Sequence, residues 1–412
     1  MYKCISRYLV ATSLIVVAIS VSAIEESQPD FLWLKQQIVK HPQVLAARQS
    51  MKASLYQADS LEKATYNPEL STDFGNEGPD RTYTLGINQT IDWSNKRGSR
   101  KQQAVFARIS AQKNYAFVLQ TKMAEALNAL INWQAIKNQS QLVTQQENQL
   151  ENLLEIVKKR TKSGDLGQLD AELAYLSLSQ RFGQSARVQA QLRRIEASLG
   201  ELLPDWNKRK ITLSQSQWSH VIDKTAEELV DDHPAVQAAK AQWEISVFAA
   251  EIALKRKKPD PTIGLGAGKL GRDDVLSLSL SIPLYLRNNF SLLYKAADQQ
   301  AMASEANYHA VRRKQLFAIK ASQAAVKEYK RRFQKWQNLM QGRDKNSENL
   351  LQKQWSIGDI STTEYLLTLQ QRTAGLIAGI ELEQEYQSAL IQLLLDTAQL
   401  DTTQAQTTET MK

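Results

Sequence analysis

The chain of 412 residues has almost no cysteine: the single one, Cys4, lies in a basic opening with Lys3 and Arg7. An apolar run from Tyr8 to Ile19 follows, and then the small-residue ending Val21-Ser22-Ala23. That layout predicts a cleavable secretory signal over 1–23, with the mature chain starting near Ile24 outside the cytoplasm. Loss of Cys4 with the signal leaves no thiol, which excludes disulfides, cysteine metal sites and thiol nucleophiles. Cys4 also precedes the apolar stretch, the wrong position for an acylated N-terminal residue. The run is shorter than the roughly 20 residues that span a bilayer as a helix, and the acidic pair Glu25-Glu26 follows it at once.

Long apolar stretches are lacking in the rest of the chain, and its mean hydropathy is -0.42. This excludes a bundle of transmembrane helices but not a β-barrel, whose alternating strands escape hydropathy scans. Histidine is scarce too: His41, His220, His233 and His309 are scattered, and two of them precede prolines. There is no H-E-x-x-H, no paired-histidine ligand spacing, no phosphate-cradling loop and no nucleophile elbow, so neither catalysis nor a resident metal or cofactor is expected. The Gly264, Gly266, Gly268 run is read as a strand because no helix starts beside it. The net charge of +8 falls by two with Lys3 and Arg7. The remainder is spread among Glu and Asp on helical segments, as on a solvated surface, and predicts no nucleic-acid partner.

What the chain does have is one motif written twice. His41-Pro42-Gln43-Val44-Leu45-Ala46-Ala47 recurs as His233-Pro234-Ala235-Val236-Gln237-Ala238-Ala239. Asn67-Pro68-Glu69-Leu70 recurs as Asp260-Pro261-Thr262-Ile263, and Gly164-Asp165-Leu166 as Gly358-Asp359-Ile360. The offset is 192 at the first landmark and 194 at the last. The repeats are placed at 24–199 and 232–400, with 200–231 between them carrying Pro204, Trp206 and Trp218, and a Thr- and Gln-rich tail over 401–412 expected to be disordered.

Within each repeat a short helix gives way, at a proline that no helix interior tolerates, to alternating residues. Leu70, Thr72 and Phe74, then Tyr83, Leu85, Ile87, Ile91 and Trp93, predict a hairpin over about 69–93 with one apolar face. Leu276, Leu278, Leu280 and Ile282, alternating with serines, predict a second over about 262–286. Either could lie on a soluble core; two of them in a secreted and otherwise helical chain favour lipid. Long stretches without proline follow, over 96–162 and about 292–355, the second broken only by Gly342. Their narrow apolar seams, Leu119, Met123, Leu127, Leu130, Leu150, Leu153 and Val157 in the first, imply coiled-coil packing.

Four strands cannot close a membrane barrel, for which about eight are needed, and an open sheet edge in lipid costs several kcal/mol per unpaired backbone group. Three copies would pool about twelve strands into a barrel wide enough for a wet lumen. The fold class expected is therefore mainly α with a membrane β-barrel: a homotrimer whose helices form a tunnel continuous with a shared 12-stranded barrel.

At this point the chain resembles the outer-membrane efflux proteins typified by TolC, from His41-Pro42 to about Leu400. The resemblance rests on the order of short helix, proline, hairpin, long helix, glycine turn and return helix, repeated twice. Ile91-Asp92-Trp93-Ser94-Asn95-Lys96-Arg97-Gly98-Ser99-Arg100 and Ser281-Ile282-Pro283-Leu284 are similar to barrel-exit segments of the branch serving cobalt-zinc-cadmium-type pumps. These positions are expected to orient the barrel-to-helix junction rather than touch cargo.

The resemblance implies a passive outer-membrane channel of a tripartite system, with its helical tunnel in the periplasm. A periplasmic adaptor (membrane fusion protein) and an inner-membrane transporter of the resistance-nodulation-division type would be its partners, the transporter supplying the energy. It makes Gly164, Asp165, Leu166, Gly358, Asp359, Ile360 and Ser361 the adaptor-docking tip, and Leu276, Leu278, Leu280 and Ile282 a strand facing outer-membrane lipid. Asp170 and Glu364 become candidates for carboxylate rings at a lumen constriction, or else they simply complement the starts of the return helices. Relatives can carry a further acid where Leu367 stands here, so a double acidic ring is not expected. The rival is a periplasmic coiled-coil scaffold or adaptor, but an adaptor would carry one helical hairpin flanked by β-rich modules, not two equivalent units.

Overall fold

The structure, a computed structural model, describes residues 28–77, 80–208, 224–341 and 343–400. The expected signal, the tail from 401, and the part of the inter-repeat segment holding Trp218 and His220 lie outside the described residues.

The first repeat opens with α1 (Gln28–Lys40) and α2 (Pro42–Glu62). His41 has extended backbone and its Nδ1 accepts from the Gln43 amide at 3.3 Å, while Pro42 fills the first helical position, where a missing N–H costs nothing. Strands β1 (Glu69–Glu77) and β2 (Asp80–Thr90) follow. Next come α3 (Lys96–Lys162), whose 67 residues make a rod about 100 Å long, and α4 (Gln168–Leu202). The second repeat runs through α5 (Ala226–Leu229), a 3-10 turn (Val230–Asp232), α6 (Pro234–Lys255), β3 (Thr262–Leu270) and β4 (Asp273–Ser281). It ends with α7 (Ser291–Met340), α8 (Arg343–Ile357) and α9 (Thr362–Asp396). His233 caps α6 as His41 caps α2, its Nδ1 accepting from the Ala235 amide at 3.2 Å.

Two elements differ from the sequence expectation. The long helix expected over about 292–355 is two helices, because Gln341 leaves helical space at ψ 120 beside Gly342, the poorest helix former after proline. The second hairpin, expected to reach 286, ends at Ser281, two residues before Pro283, which has no amide to donate to a ladder.

The hairpins join in one antiparallel sheet of order β1-β2-β3-β4. The packed core lies among the helices. All seven seam residues of α3 are buried; four of them, Leu119, Met123, Leu127 and Leu130, cluster with Trp133, Leu34 and Ile38 of α1, Leu203, Trp206, and Ile391, Leu393 and Leu394 of α9. Trp206 meets Trp133 edge to face at 5.0 Å between centroids, a contact that contributes about 0.5–1.5 kcal/mol beyond burial. This cluster holds the start of the inter-repeat segment against the middle of the rod. In the second repeat Ile319 and Val326 are buried likewise, but Leu339 at the end of α7 is exposed.

Candidate functional site

Three places along the long axis carry the residues the sequence singled out, beginning with the sheet. Its register aligns Leu70, Ile87, Leu265 and Leu278 in one row across all four strands, and Thr72, Leu85, Ala267 and Leu276 in the next. Leu70, Leu85, Ile87, Leu265, Leu276, Leu278 and Leu280 are 57 to 85% exposed, so nothing among the described residues covers this face. The opposite face carries Ser71, Gly86, Gly266 and Ser277 in one row and Asn88, Gly264 and Ser279 in another. Ile282, read as the end of the exposed strand, lies just past β4 and is exposed as well.

At the seam between the hairpins Gly86 pairs with Gly266, and a Cβ on Gly268 would collide with the carbonyl oxygen of Tyr83. At Gly268 the two strands approach so closely that a side chain is excluded.

Between sheet and helices lies the junction. Asp92 accepts from the Lys96 and Arg97 amides at 2.9 and 2.7 Å, so its carboxylate holds the start of α3, where the helix dipole favours negative charge. The Lys96 ammonium is buried and bonds Asp260 Oδ2 at 2.5 Å; the Tyr66 hydroxyl donates to the same oxygen at 2.5 Å. Burial, then the Asp260 carboxylate, raises the Tyr66 hydroxyl to about 12, so it stays protonated and donating. The sequence pointed to Lys96 as an orienting residue. It gave no sign of Asp260 or Tyr66 as partners, since they stand 164 and 194 residues from theirs.

At the far end are the two turns. Gly164 has φ +81 and Gly358 φ +86, the left-handed conformation of a helix end. In each turn the glycine amide returns to a carbonyl three residues back, and the following aspartate amide to one five back: Asp165 to Arg160, Asp359 to Gln354, both at 2.9 Å. Asp165 accepts from the Ser163 hydroxyl at 2.8 Å. Leu166 and Ile360 pack at the margin of a cluster built from Leu153, Leu154, Val157, Trp355, Tyr365 and Leu366.

Ser361 and Glu364 form a reciprocal cap: Glu364 Oε2 accepts from the Ser361 amide at 2.8 Å, and Ser361 Oγ accepts from the Glu364 amide at 3.1 Å. The amide and then the hydroxyl of Ser361 hold the Glu364 carboxyl below its ordinary range, so it is charged at neutral pH. Asp170 sits in the first turn of α4. Both acids therefore complement helix starts, and Glu364 is exposed while doing so.

Sequence reasoning missed the clamp between the turns. Arg160 donates to the Ser356 carbonyl at 3.1 Å and lies over the Trp355 ring at 5.1 Å, and Trp355 Nε1 bonds Thr362 Oγ1 at 3.3 Å. The available signal was position: each residue stands within four of a matched glycine. Among the described residues no cluster of His, Cys, Asp and Glu could hold a metal ion, and no helix is long and apolar enough to cross a membrane.

A duplicated helical rod ending in an open sheet with one uncovered apolar face defines the class of channels that join a helical tunnel to a β-barrel. Solved structures of that class superpose over nearly the whole chain. CusC matches with TM-score 0.75 and 14% identity, covering 89% of this chain and 91% of its own. VceC of Vibrio cholerae matches with 0.73 and 15%, covering 90% and 97%. The CmeC outer membrane channel of Campylobacter jejuni matches with 0.73 and 12%, covering 93% and 89%. A search of curated protein sequences gave no significant match. Residues 33–204, most of the first repeat and the start of the inter-repeat segment, match the model of the outer membrane efflux protein family. Its members are channels that work with adaptors and inner-membrane pumps.

Proposed function

We propose that this chain is the outer-membrane channel of a tripartite efflux system, a passive conduit and not an enzyme. The observation that carries the reading is the four-stranded sheet, whose apolar face is uncovered and whose outer strands β1 and β4 each have one neighbour among the described residues. Lipid answers the first need, since Leu276, Leu278, Leu280 and Ile282 would cost nothing in hydrocarbon. Two further copies answer the second, because pairing β4 of one protomer with β1 of the next closes twelve strands without an edge. The same threefold arrangement gathers the rods into a tunnel across the periplasm.

At the tip, Gly164, Asp165, Leu166, Gly358, Asp359, Ile360 and Ser361 form two short exposed reversals that offer an adaptor a little apolar surface beside charge. Asp170 and Glu364, repeated three times, would ring the narrow mouth with carboxylates. An inner-membrane transporter of the resistance-nodulation-division type, reached through the adaptor, would supply the energy and choose the cargo.

The test is to fractionate envelopes from cells expressing the chain, purify it in detergent, and determine its oligomeric mass and particle shape. A trimeric hollow cylinder in the outer-membrane fraction is expected. A water-soluble monomer or dimer in the periplasm would overturn the channel and favour the scaffold.

A further inference from the structure

Beneath the apolar face of the sheet, the chain exposes a second apolar surface that is not part of any strand. Trp93, just past β2, and Leu284, Leu286, Leu292 and Leu293, between β4 and the first turn of α7, are 54 to 87% exposed. They share one level of the molecule. The Ile91 amide bonds the Pro261 carbonyl at 2.8 Å, Thr262 pairs with Ser281, and Tyr285 packs edge to face on Phe290 at 4.9 Å. The segment linking α6 to β3 joins the same level, since Ser94 Oγ donates to the Lys255 carbonyl at 3.3 Å and the Lys257 ammonium lies 5.9 Å from the centre of the Tyr294 ring.

That level is also basic. Arg256, Lys257, Lys258, Arg287 and Lys295 are all exposed, and neither 252–259 nor 282–297 contains an aspartate or glutamate. An apolar ledge continuous with a lipid-facing wall and bordered by cations on its helical side has the chemistry of a membrane interface. There an indole sits at headgroup depth and ammonium or guanidinium groups meet phosphates.

Resting on the channel reading above, we propose that this ledge is a docking surface for the periplasmic leaflet of the outer membrane and that its basic border selects anionic glycerophospholipid headgroups. The ledge fixes how far the barrel sinks: the leucines enter the acyl boundary and the five cations stop at the phosphates. Screening by salt weakens the second contact and leaves the first unchanged.

The test uses the purified trimer in vesicles of phosphatidylethanolamine with or without phosphatidylglycerol. Phospholipids brominated near the headgroup are expected to quench a component of the tryptophan emission that Trp93→Phe removes. Native mass spectrometry is expected to show phosphatidylglycerol retained over phosphatidylethanolamine. That preference should fall about fivefold for each cation removed in the combined Arg256→Gln, Lys257→Gln, Lys258→Gln variant and in Arg287→Gln alone. Lys158→Gln with Lys159→Gln, close to the tip turn, should leave it unchanged. Should the triple variant fail to assemble, Arg287→Gln and the Trp93 quenching decide the matter. A protein that conducts in bilayers but shows no Trp93 quenching, or retains the two lipids equally, overturns the ledge alone; one that neither inserts nor conducts overturns the channel reading with it.

Discussion

Removing the Lys96 ammonium while keeping its bulk, in Lys96→Met, would strand the Asp260 carboxylate. Asp260 is 6% exposed; its Oδ2 would keep only the Tyr66 hydroxyl, and its Oδ1 has no partner among the described residues. Breaking a buried pair from one side costs about 3–5 kcal/mol, because the remaining charge is desolvated without compensation. Asp260→Leu strands the ammonium and should cost a similar amount, with about 1 kcal/mol more for the unpaired Tyr66 hydroxyl. The double variant removes both charges, and its loss should be smaller than either single loss. The assay is urea unfolding of the detergent-solubilised protein, followed by tryptophan emission, for the wild type, both singles and the double. Singles within about 0.5 kcal/mol of wild type, the value of a hydrated surface pair, would refute the reasoning, as would additive losses in the double. Since Tyr66 titrates near 12 in the folded protein and near 10 unfolded, its contribution is intact below pH 10 and is lost as the pH rises through 12.

Other outcomes are expected from the same geometry. Asp170→Asn with Glu364→Gln should lower cation preference in planar-bilayer recordings while the glutamine keeps the Ser361 cap; unchanged reversal potentials would take both acids out of the lumen. Leu278→Arg should cost about 2–4 kcal/mol if it lies near the bilayer midplane, read as reduced trimer in the outer-membrane fraction, and normal assembly would contradict the orientation of β4. Burial depresses His233 from 6.5 to about 4, so the stability it contributes is present above pH 6.5 and is lost as the pH falls through 4, up to about 3 kcal/mol. His233→Asn, which can still cap α6, should flatten the acid limb of melting temperature against pH.

Local rules written along one stretch of chain made much of this legible from sequence. The His-Pro caps, the proline before each hairpin, the alternation of Leu276 to Leu280 and the Gly-Asp turns each need only neighbours within a few residues, and each occurs twice. Features that depend on distant residues meeting were not legible. Nothing in either hairpin says that β2 pairs with β3, making one sheet of two. The tie of Lys96 to Asp260 and the reach of Arg160 to Ser356 depend on how the repeats stack, and polar pairs leave no periodic trace. The break after Met340 was half visible: Gly342 marked the place, but a single glycine inside a coiled coil is often carried without interruption.

The glycine rows have a consequence for permeation. Where Gly86 pairs with Gly266, the polar face of the sheet is bare backbone between Ser71 and Ser277, so if that face lines the lumen an ion passing that level would meet amide and carbonyl dipoles instead of side chains. A side chain at Gly268 would part the strands, since its Cβ would meet the Tyr83 carbonyl oxygen, whereas at Gly266 it would first meet the Ser277 hydroxyl. A narrower or more selective exit is then reached most directly at the flanking serines, Ser71, Ser277 and Ser279, whose hydroxyls border the glycines.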